Sequence, residues 1–318
     1  MKVFLTESIN QDAETLLREH VELDIGCLEM GEKKFLERIS DTDILFSKTD
    51  PILIDRKAMD AATKLKYIAR HGSGYNNVDM AYAQEKGIMV SNTPNVNAVA
   101  IAEYTMGLML MMTRRLMDAA QASRRGNPQR LDFMGTNLQG KILGIIGVGR
   151  IGRELVHLAL AFGMRVLAHH PRPSSKKLAD LDITLIDLPE LLSNSDVVSI
   201  HAPLTDQTMN LISSSELSIM KNSAYLINMG RGGMVDESAL ALALSQGEIA
   251  GAALDVIKEE PVQKGHPLLK LDNALIMPHM AALTHETQKK IAITAVEDII
   301  RFCQGKTPKY LVNPEVLG

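Results

Sequence analysis

Only two cysteines occur in 318 residues, Cys27 and Cys303, far apart and without metal-ligand spacing. Such usage excludes a disulfide framework and implies two reduced thiols in a cytosolic protein. No long block of lysine or arginine is present, and 34 basic against 38 acidic side chains give a formal net charge of −4. That balance argues against a nucleic acid or an anionic membrane as the main partner. The most apolar stretch, Ala98 to Met112, is interrupted by Glu103 and followed by Arg114 and Arg115. It is too short and too broken to span a bilayer. The opening Met1-Lys-Val-Phe-Leu-Thr lacks the hydrophobic region of a secretory signal. Short-period repeats and low-complexity segments are also missing. A cytoplasmic, soluble globular protein is the expectation, and 46% apolar with 23% charged residues suits one.

The length allows roughly two domains, and the pattern of segments supplies them. Val3–Thr6, Ile44–Ser47, Tyr67–Arg70 and Ile88–Ser91 read as short buried strands, with helix-forming stretches such as Gln11–His20 and Ala81–Lys86 between them. A long helix is expected from about Val96 to Arg124. A second series begins at Lys141, with strands Ile142–Ile146, Arg165–Ala168, Val197–His201, Ala224–Asn228, Gly251–Val256 and Ala274–Met277. Helices fit between them, for example Gly152–Phe162 and Glu237–Gln246, and a last helix runs from about Glu286 to Cys303. Strands alternating with helices imply parallel sheets covered on both faces, here two doubly wound α/β domains.

The second series opens with Gly147, Gly149 and Gly152 in a Gly-X-Gly-X-X-Gly pattern, after the apolar strand Ile142–Ile146 and before a helical segment. In that setting Gly147 permits a tight turn, and Gly149 lets the backbone approach a pyrophosphate. Gly152 lets strand and helix pack closely, while Arg150 and Ile151 begin the helix whose amides and dipole favour the anion. A dinucleotide is therefore the expected cofactor. At the end of the next strand an NAD-selective fold usually carries a carboxylate for the adenosine ribose. By spacing that position is His170, no carboxylate is close, and Arg172 follows. An arginine attracts a 2′-phosphate that a carboxylate would repel, so the reading favours NADP, with NAD as the alternative. Adjacent histidines on one strand point to opposite faces and make no metal site.

Behind the glycine motif come Arg231 in Asn228-Met-Gly-Arg-Gly-Gly, Glu260 in Glu-Glu-Pro261 and His279 in Met-Pro278-His. An arginine, an acid and a histidine after a nucleotide turn are parts for moving a hydride and a proton together. Each alone would read as a surface charge, a solvated turn or a structural histidine. With His71-Gly-Ser-Gly-Tyr-Asn-Asn-Val-Asp79, Asn92-Thr-Pro94, Leu138-Gln-Gly-Lys141, His201-Ala-Pro-Leu-Thr205, Gly251-Ala-Ala-Leu-Asp255 and Pro278-His279, the chain resembles the D-isomer-specific 2-hydroxyacid dehydrogenase family over nearly its whole length. The phosphoglycerate dehydrogenase-like branch is the most similar, through Asn92-Thr-Pro-Asn-Val-Asn and Phe133-Met-Gly-Thr-Asn-Leu-Gln-Gly-Lys.

The resemblance implies a Rossmann nucleotide-binding domain over 99–285 and a flavodoxin-like substrate domain over 1–98, completed by 286–318, with the active site in the cleft between them. It implies that His279 donates a proton, that Glu260 holds the imidazole, and that Arg231 grips the substrate carboxylate. His201, Pro203 and Asp255 are expected on the cofactor side. Arg70, Gly72, Ser73 and Gly74 are expected on the substrate side, with backbone amides of that loop directed to the carboxylate. The implied partner is a small 2-oxoacid or its D-2-hydroxyacid: glyoxylate, hydroxypyruvate or similar. D-3-phosphoglycerate is the alternative substrate, although Phe46 stands where that branch often has an arginine. Formate is disfavoured because Glu260, not glutamine, pairs with the histidine. A nicotinamide-sensing corepressor-like protein is a second alternative. A homodimer is expected on the segment with Met106, Leu108, Met109, Leu110, Met111 and Met112, whose other reading is core packing. A serine-sensing C-terminal extension is not expected.

Overall fold

The computed structural model describes residues 1–48, 52–126, 129–170 and 178–318. The chain divides into two compact units, Met1–Asn97 with Leu283–Gly318, and Ala98–Ala282.

The first unit is built on a five-stranded, wholly parallel sheet. Its strands are β1 (Lys2–Leu5), β2 (Glu22–Ile25), β3 (Ile44–Ser47), β4 (Tyr67–Arg70) and β5 (Met89–Ser91), in the order β2-β1-β3-β4-β5. The central strands read as unbroken apolar runs because both faces are covered. Phe4, Leu45, Ile68 and Val90 pack on one face with Phe35, Ile39 and Tyr82. Val3, Leu5, Ile44, Phe46, Tyr67 and Ala69 pack on the other with Leu17, Ala292, Ala295, Val296 and Ile299. Those last four belong to the helix His285–Cys303, capped by Thr284, whose side chain accepts the Thr287 amide. Phe46 is fully buried in this layer, so it is a core residue. The tail after the helix is fixed to β5, where Asn313 accepts the Val90 amide at 2.8 Å and donates to the Ile88 carbonyl at 2.9 Å. Strand β2 was not expected. It is an edge strand, Glu-Leu-Asp-Ile, with no fully buried residue and hence no apolar signature.

The second unit carries seven parallel strands: β6 (Ile142–Ile146), β7 (Arg165–His169), β8 (Thr184–Leu185), β9 (Val197–Ile200), β10 (Tyr225–Asn228), β11 (Gly251–Leu254) and β12 (Ala274–Ile276). Their order is β12-β11-β10-β9-β6-β7-β8, the doubly wound arrangement expected for dinucleotide binding. The expected single helix from Val96 to Arg124 is two helices, Ala98–Thr113 and Leu116–Arg124. Arg115 between them is left-handed, at φ 51°. No glycine or proline marks the break. It is made from outside the helix: the Thr136 amide takes the Thr113 carbonyl at 2.7 Å, and Arg115 donates to the Asp132 carbonyl. Met106, Leu108, Met109 and Met112 are buried in the core of this unit, while Leu110 and Met111 are half-buried. Among the described residues no helix is long and apolar enough to cross a membrane.

Candidate active site

In an open parallel sheet the strands' carboxyl ends form a crevice where the strand order reverses. In the second unit that point lies between β6 and β9, and the two loops there are the glycine turn and His201-Ala-Pro203. Gly147 has φ 94°, and a β-carbon on it would stand 2.8 Å from the Ala202 nitrogen. On Gly152 it would stand 2.7 Å from the Gly147 carbonyl oxygen. These two glycines are demanded by the protein's own backbone. Gly149 is not: among the described residues nothing lies within 4 Å of its β-carbon position. It precedes Arg150, the first residue of the helix Arg150–Ala161, so the space over it is an open cradle at a helix N-terminus. A dinucleotide's pyrophosphate fits such a cradle.

His201 does not face this cradle as an acid or base. Its Nε2 lies 2.8 Å from Ser199 Oγ, its Nδ1 is buried without a partner among the described residues, and burial pulls its pKa down to about 3. Pro203 is exposed, and its carbonyl accepts the Thr208 hydroxyl at 2.7 Å. At the end of β7, His169 Nδ1 lies 3.3 Å from the Ile186 carbonyl and His170 is half-buried. Arg172 lies outside the described residues.

Arg231 sits on the loop after β10. Asn228, almost fully buried, shapes that loop by accepting the Gly230 amide at 3.0 Å and donating to the Arg231 carbonyl at 2.9 Å. The glycines beside Arg231 permit the close packing. A β-carbon on Gly230 would meet the Ala202 carbonyl oxygen at 2.8 Å, and one on Gly232 would collide with the Ile257 backbone at 1.9 Å. Thus the arginine loop lies directly on the segment that leads to Glu260.

His279 Nδ1 and Glu260 Oε2 are 2.7 Å apart. The hydrogen bond and charge of Glu260 raise the pKa of His279 above its ordinary 6.5, reinforced by Asp255 and opposed by burial and by Arg231. For Glu260 burial acts upward but is outweighed, and the His279 contact, the Ile257 amide and Arg231 hold the carboxyl below its usual range. The pair therefore favours imidazolium beside carboxylate near neutral pH. His279 has a left-handed backbone, φ 52°, a conformation that costs a non-glycine residue roughly 1–3 kcal/mol unless its surroundings enforce it. Asp255 enforces it: buried, it accepts the Met280 and Ala281 amides at 2.9 and 3.0 Å. Its carboxylate thus positions the histidine segment, a role the sequence reading had not given it.

Further residues of this unit escaped that reading. Glu237 accepts the Lys258 amide at 2.6 Å, and its other oxygen lies 3.0 Å from His266 Nε2. Lys258 and His266 flank Glu260, so Glu237 clips both sides of the loop that carries it. The clip joins residues 29 positions apart, and no local pattern signals it. Tyr104 is another, with a buried hydroxyl that has no partner among the described residues and a pKa raised to about 12 by burial and the Asp255 charge.

In the first unit, Arg70 is buried and is not directed outward as an anion contact. Its Nε donates to the Gly74 carbonyl at 3.1 Å, and its Nη1 donates to Ser47 O at 3.1 Å and Ser47 Oγ at 3.0 Å. It pins the loop that follows. Asn92 donates to the Ser73 carbonyl at 2.7 Å, and the Gly72 amide is taken by Thr93 Oγ1 at 2.9 Å. Gly72 is therefore not a free donor. With the Ser73 and Gly74 carbonyls drawn back, their amides have no partner among the described residues.

A family model described as D-isomer specific 2-hydroxyacid dehydrogenase, NAD binding domain, matches residues 106–281. The chain is 38% identical over 323 residues to the glyoxylate reductase of Korarchaeum cryptofilum (strain OPF8), covering 99% of this chain and 97% of that protein. It is also 38% identical over 314 residues to the D-3-phosphoglycerate dehydrogenase of Methanocaldococcus jannaschii, covering 98% of this chain but only 59% of that protein. Among solved structures, the TT0316 protein from Thermus thermophilus matches with a TM-score of 0.92 at 37% identity, over 98% of this chain and 100% of that one.

Proposed function

The chain belongs to the D-isomer specific 2-hydroxyacid dehydrogenase family, and from that premise we propose that it interconverts a small 2-oxoacid and its D-2-hydroxyacid. The observation that carries this reading is the His279–Glu260 pair at 2.7 Å, with the Arg231 charge felt by both partners. When bound, the nicotinamide cofactor supplies or accepts the hydride exchanged at C2. The protein's own residues manage the rest. Arg231 holds the substrate carboxylate and stabilises negative charge on the carbonyl oxygen. His279 Nδ1 is engaged by Glu260, which leaves Nε2 to give that oxygen its proton, and Glu260 keeps the ring protonated until the transfer. Within the first unit, Arg70 acts as a positioning residue for the loop that carries Ser73 and Gly74.

The cradle over Gly149 and the helix beginning Arg150-Ile151 hold the dinucleotide. NADP(H) is preferred to NAD(H), because neither His169 nor His170 supplies the ribose-binding carboxylate, and in the sequence Arg172 follows two positions after His170. The protein acts as a cytoplasmic homodimer. Cys27 and Cys303 are both free, and Leu116, Met117, Leu131 and Met134 are exposed beyond the methionine-rich helix, as a self-association surface would require. The test is initial rates with NADPH and NADH across glyoxylate, hydroxypyruvate, 3-phosphohydroxypyruvate and pyruvate. Turnover favouring NADPH supports both parts. Equal or faster rates with NADH would remove the cofactor preference alone, and no turnover with any pair would remove the reductase reading.

A further inference from the structure

Glu237, which clips the loop carrying Glu260, also stands at the end of the loop carrying Arg231. It is the first residue of the helix Glu237–Gln246, and the short span from Arg231 to it is closely bonded. The Met234 amide donates to the Arg231 carbonyl at 3.2 Å, and the Val235 amide to the Gly232 carbonyl at 3.3 Å. Val235 bridges to Ile212, and the Asp236 amide donates to the Ile212 carbonyl at 2.9 Å. Asp236 then caps the helix by accepting the Ser238 and Ala239 amides, both at 3.0 Å. A displacement of Glu237 is therefore passed back to Arg231, because no slack segment lies between them.

On its other side Glu237 shares one turn with Glu260. The Ile257 amide lies 3.3 Å from Glu260 Oε1, and the next amide, that of Lys258, donates to Glu237 Oε1 at 2.6 Å. The second Glu237 oxygen is 3.0 Å from His266 Nε2, at the far end of the same loop. His266 is itself anchored. Its carbonyl accepts the Leu269 amide at 3.1 Å, and Leu268 is fully buried in the cluster that holds Met234, Val235, Leu240 and Ile257. The His266 and Glu237 side chains are only 18% and 15% exposed, so water competes little for their contact. His266 Nδ1 is buried with no partner among the described residues, which makes the ring a poor way merely to fill space. What the ring supplies is direction: its Nε2 fixes one oxygen of a carboxylate whose other oxygen holds the Lys258 amide.

We propose that His266 is a positioning residue for both halves of the carbonyl chemistry. Through Glu237 it fixes Arg231, which grips the substrate carboxylate, and Glu260, which holds His279. The inference rests on the reductase reading above, and all of its residues belong to the second unit.

The experiment compares His266→Leu, which removes the donor, with His266→Gln, whose amide nitrogen can still donate to Glu237. Amide hydrogen exchange is read first, on the ligand-free protein. His266→Leu should speed exchange by about tenfold in both residues 230–236 and residues 258–266, and His266→Gln in neither. In steady-state reduction, His266→Leu should raise the KM of the oxoacid roughly three- to tenfold, through a misplaced Arg231. It should also move the alkaline limb of kcat/KM to lower pH by about a few tenths of a unit. The sign follows from the groups that face His279. Glu260 raises its pKa most, Asp255 adds to the rise, and burial and Arg231 oppose it, so loosening both loops removes more of the rise than of the opposition. His266→Gln should restore both quantities, and the dissociation constant of the cofactor should be the same in all three proteins. Faster exchange confined to residues 258–266, a change in KM or in the pH limb alone, or a glutamine variant as impaired as the leucine variant would overturn the coupling. If His266→Leu fails to fold, Glu237→Gln, which removes the charge that Nε2 faces, carries the same readouts. If the unmodified protein turns over no oxoacid, the reductase reading falls, and exchange still decides whether His266 ties the two loops.

Discussion

The two sheets have the same kind of crevice, at β1/β3 in one unit and at β6/β9 in the other, yet they furnish it in opposite ways. At β6/β9 the walls are backbone: three glycines, a helix N-terminus and an open cradle with nothing among the described residues within 4 Å of the Gly149 β-carbon position. At β1/β3 the walls are side chains, with serine, asparagine, lysine, histidine and glutamate converging from separate loops. Backbone amides suit a diphosphate, which is the same in every dinucleotide. Side chains can be exchanged without refolding the loop. The crevice of the second unit is thus shaped by backbone, and that of the first by side chains.

The largest expected effect concerns the second unit, through His279→Gln. Loss of the proton donor should lower kcat by about 10²–10⁴-fold, equally for glyoxylate and hydroxypyruvate, with the dissociation constant of the cofactor nearly unchanged. A loss confined to one substrate would deny that role. Next come the glycines. Gly147→Ala forces a β-carbon onto the Ala202 nitrogen at positive φ and should lower thermal stability by about 2 kcal/mol or more. Gly149→Ala should leave the melting temperature within about 2 °C and instead weaken cofactor binding, read from quenching of nicotinamide fluorescence. Equal thermal effects in the two variants would deny the open cradle.

Glu260→Gln acts through pH. Glu260 raises the His279 pKa above 6.5, and reduction needs the protonated ring, so reductive kcat/KM falls as pH rises through that raised value. Without the carboxylate the fall should come at lower pH, and oxidation of the hydroxyacid, which needs the neutral ring, should gain its activity at lower pH as well. A profile that only drops in height, with both limbs in place, would count against the pairing. The smallest effect is expected from Glu237→Gln. Weakening the clip on Lys258 and His266 should move the same alkaline limb part of the way, by about a few tenths of a pH unit, for all substrates alike.

How far these features could be read in advance depends on how local they are. The glycine turn was legible because its three positions are answerable to their neighbours and to one ligand geometry. Arg231, Glu260 and His279 were legible as residue types set in characteristic short contexts, and the structure joins the last two directly. Strands β3, β4 and β6 stood out through continuous burial, whereas β2, half-exposed at an edge, carried no comparable signal. The break at Arg115 arises from the loop that returns to Thr113, which no helix propensity reports. The bonds of Arg70 are hidden for a related reason: an arginine beside a substrate loop suggests an anion, while Ser47 and Gly74, which it also bonds, become its neighbours only on folding. The β1/β3 crevice draws its wall from both ends of the chain, so no sequence window contains it.

The same joining of the two chain ends governs the order in which the protein is completed during synthesis. The face of the first sheet formed by Val3, Leu5, Ile44, Phe46, Tyr67 and Ala69 is covered by Ala292, Ala295, Val296 and Ile299, from the helix His285–Cys303. On a ribosome those six side chains emerge before that helix and wait, uncovered by it, while the whole of Ala98–Ala282 is synthesised. The second unit, one unbroken segment, can fold during that interval. The first unit is therefore completed only after the second has been synthesised, and its sheet residues are the ones in need of protection from aggregation while translation proceeds.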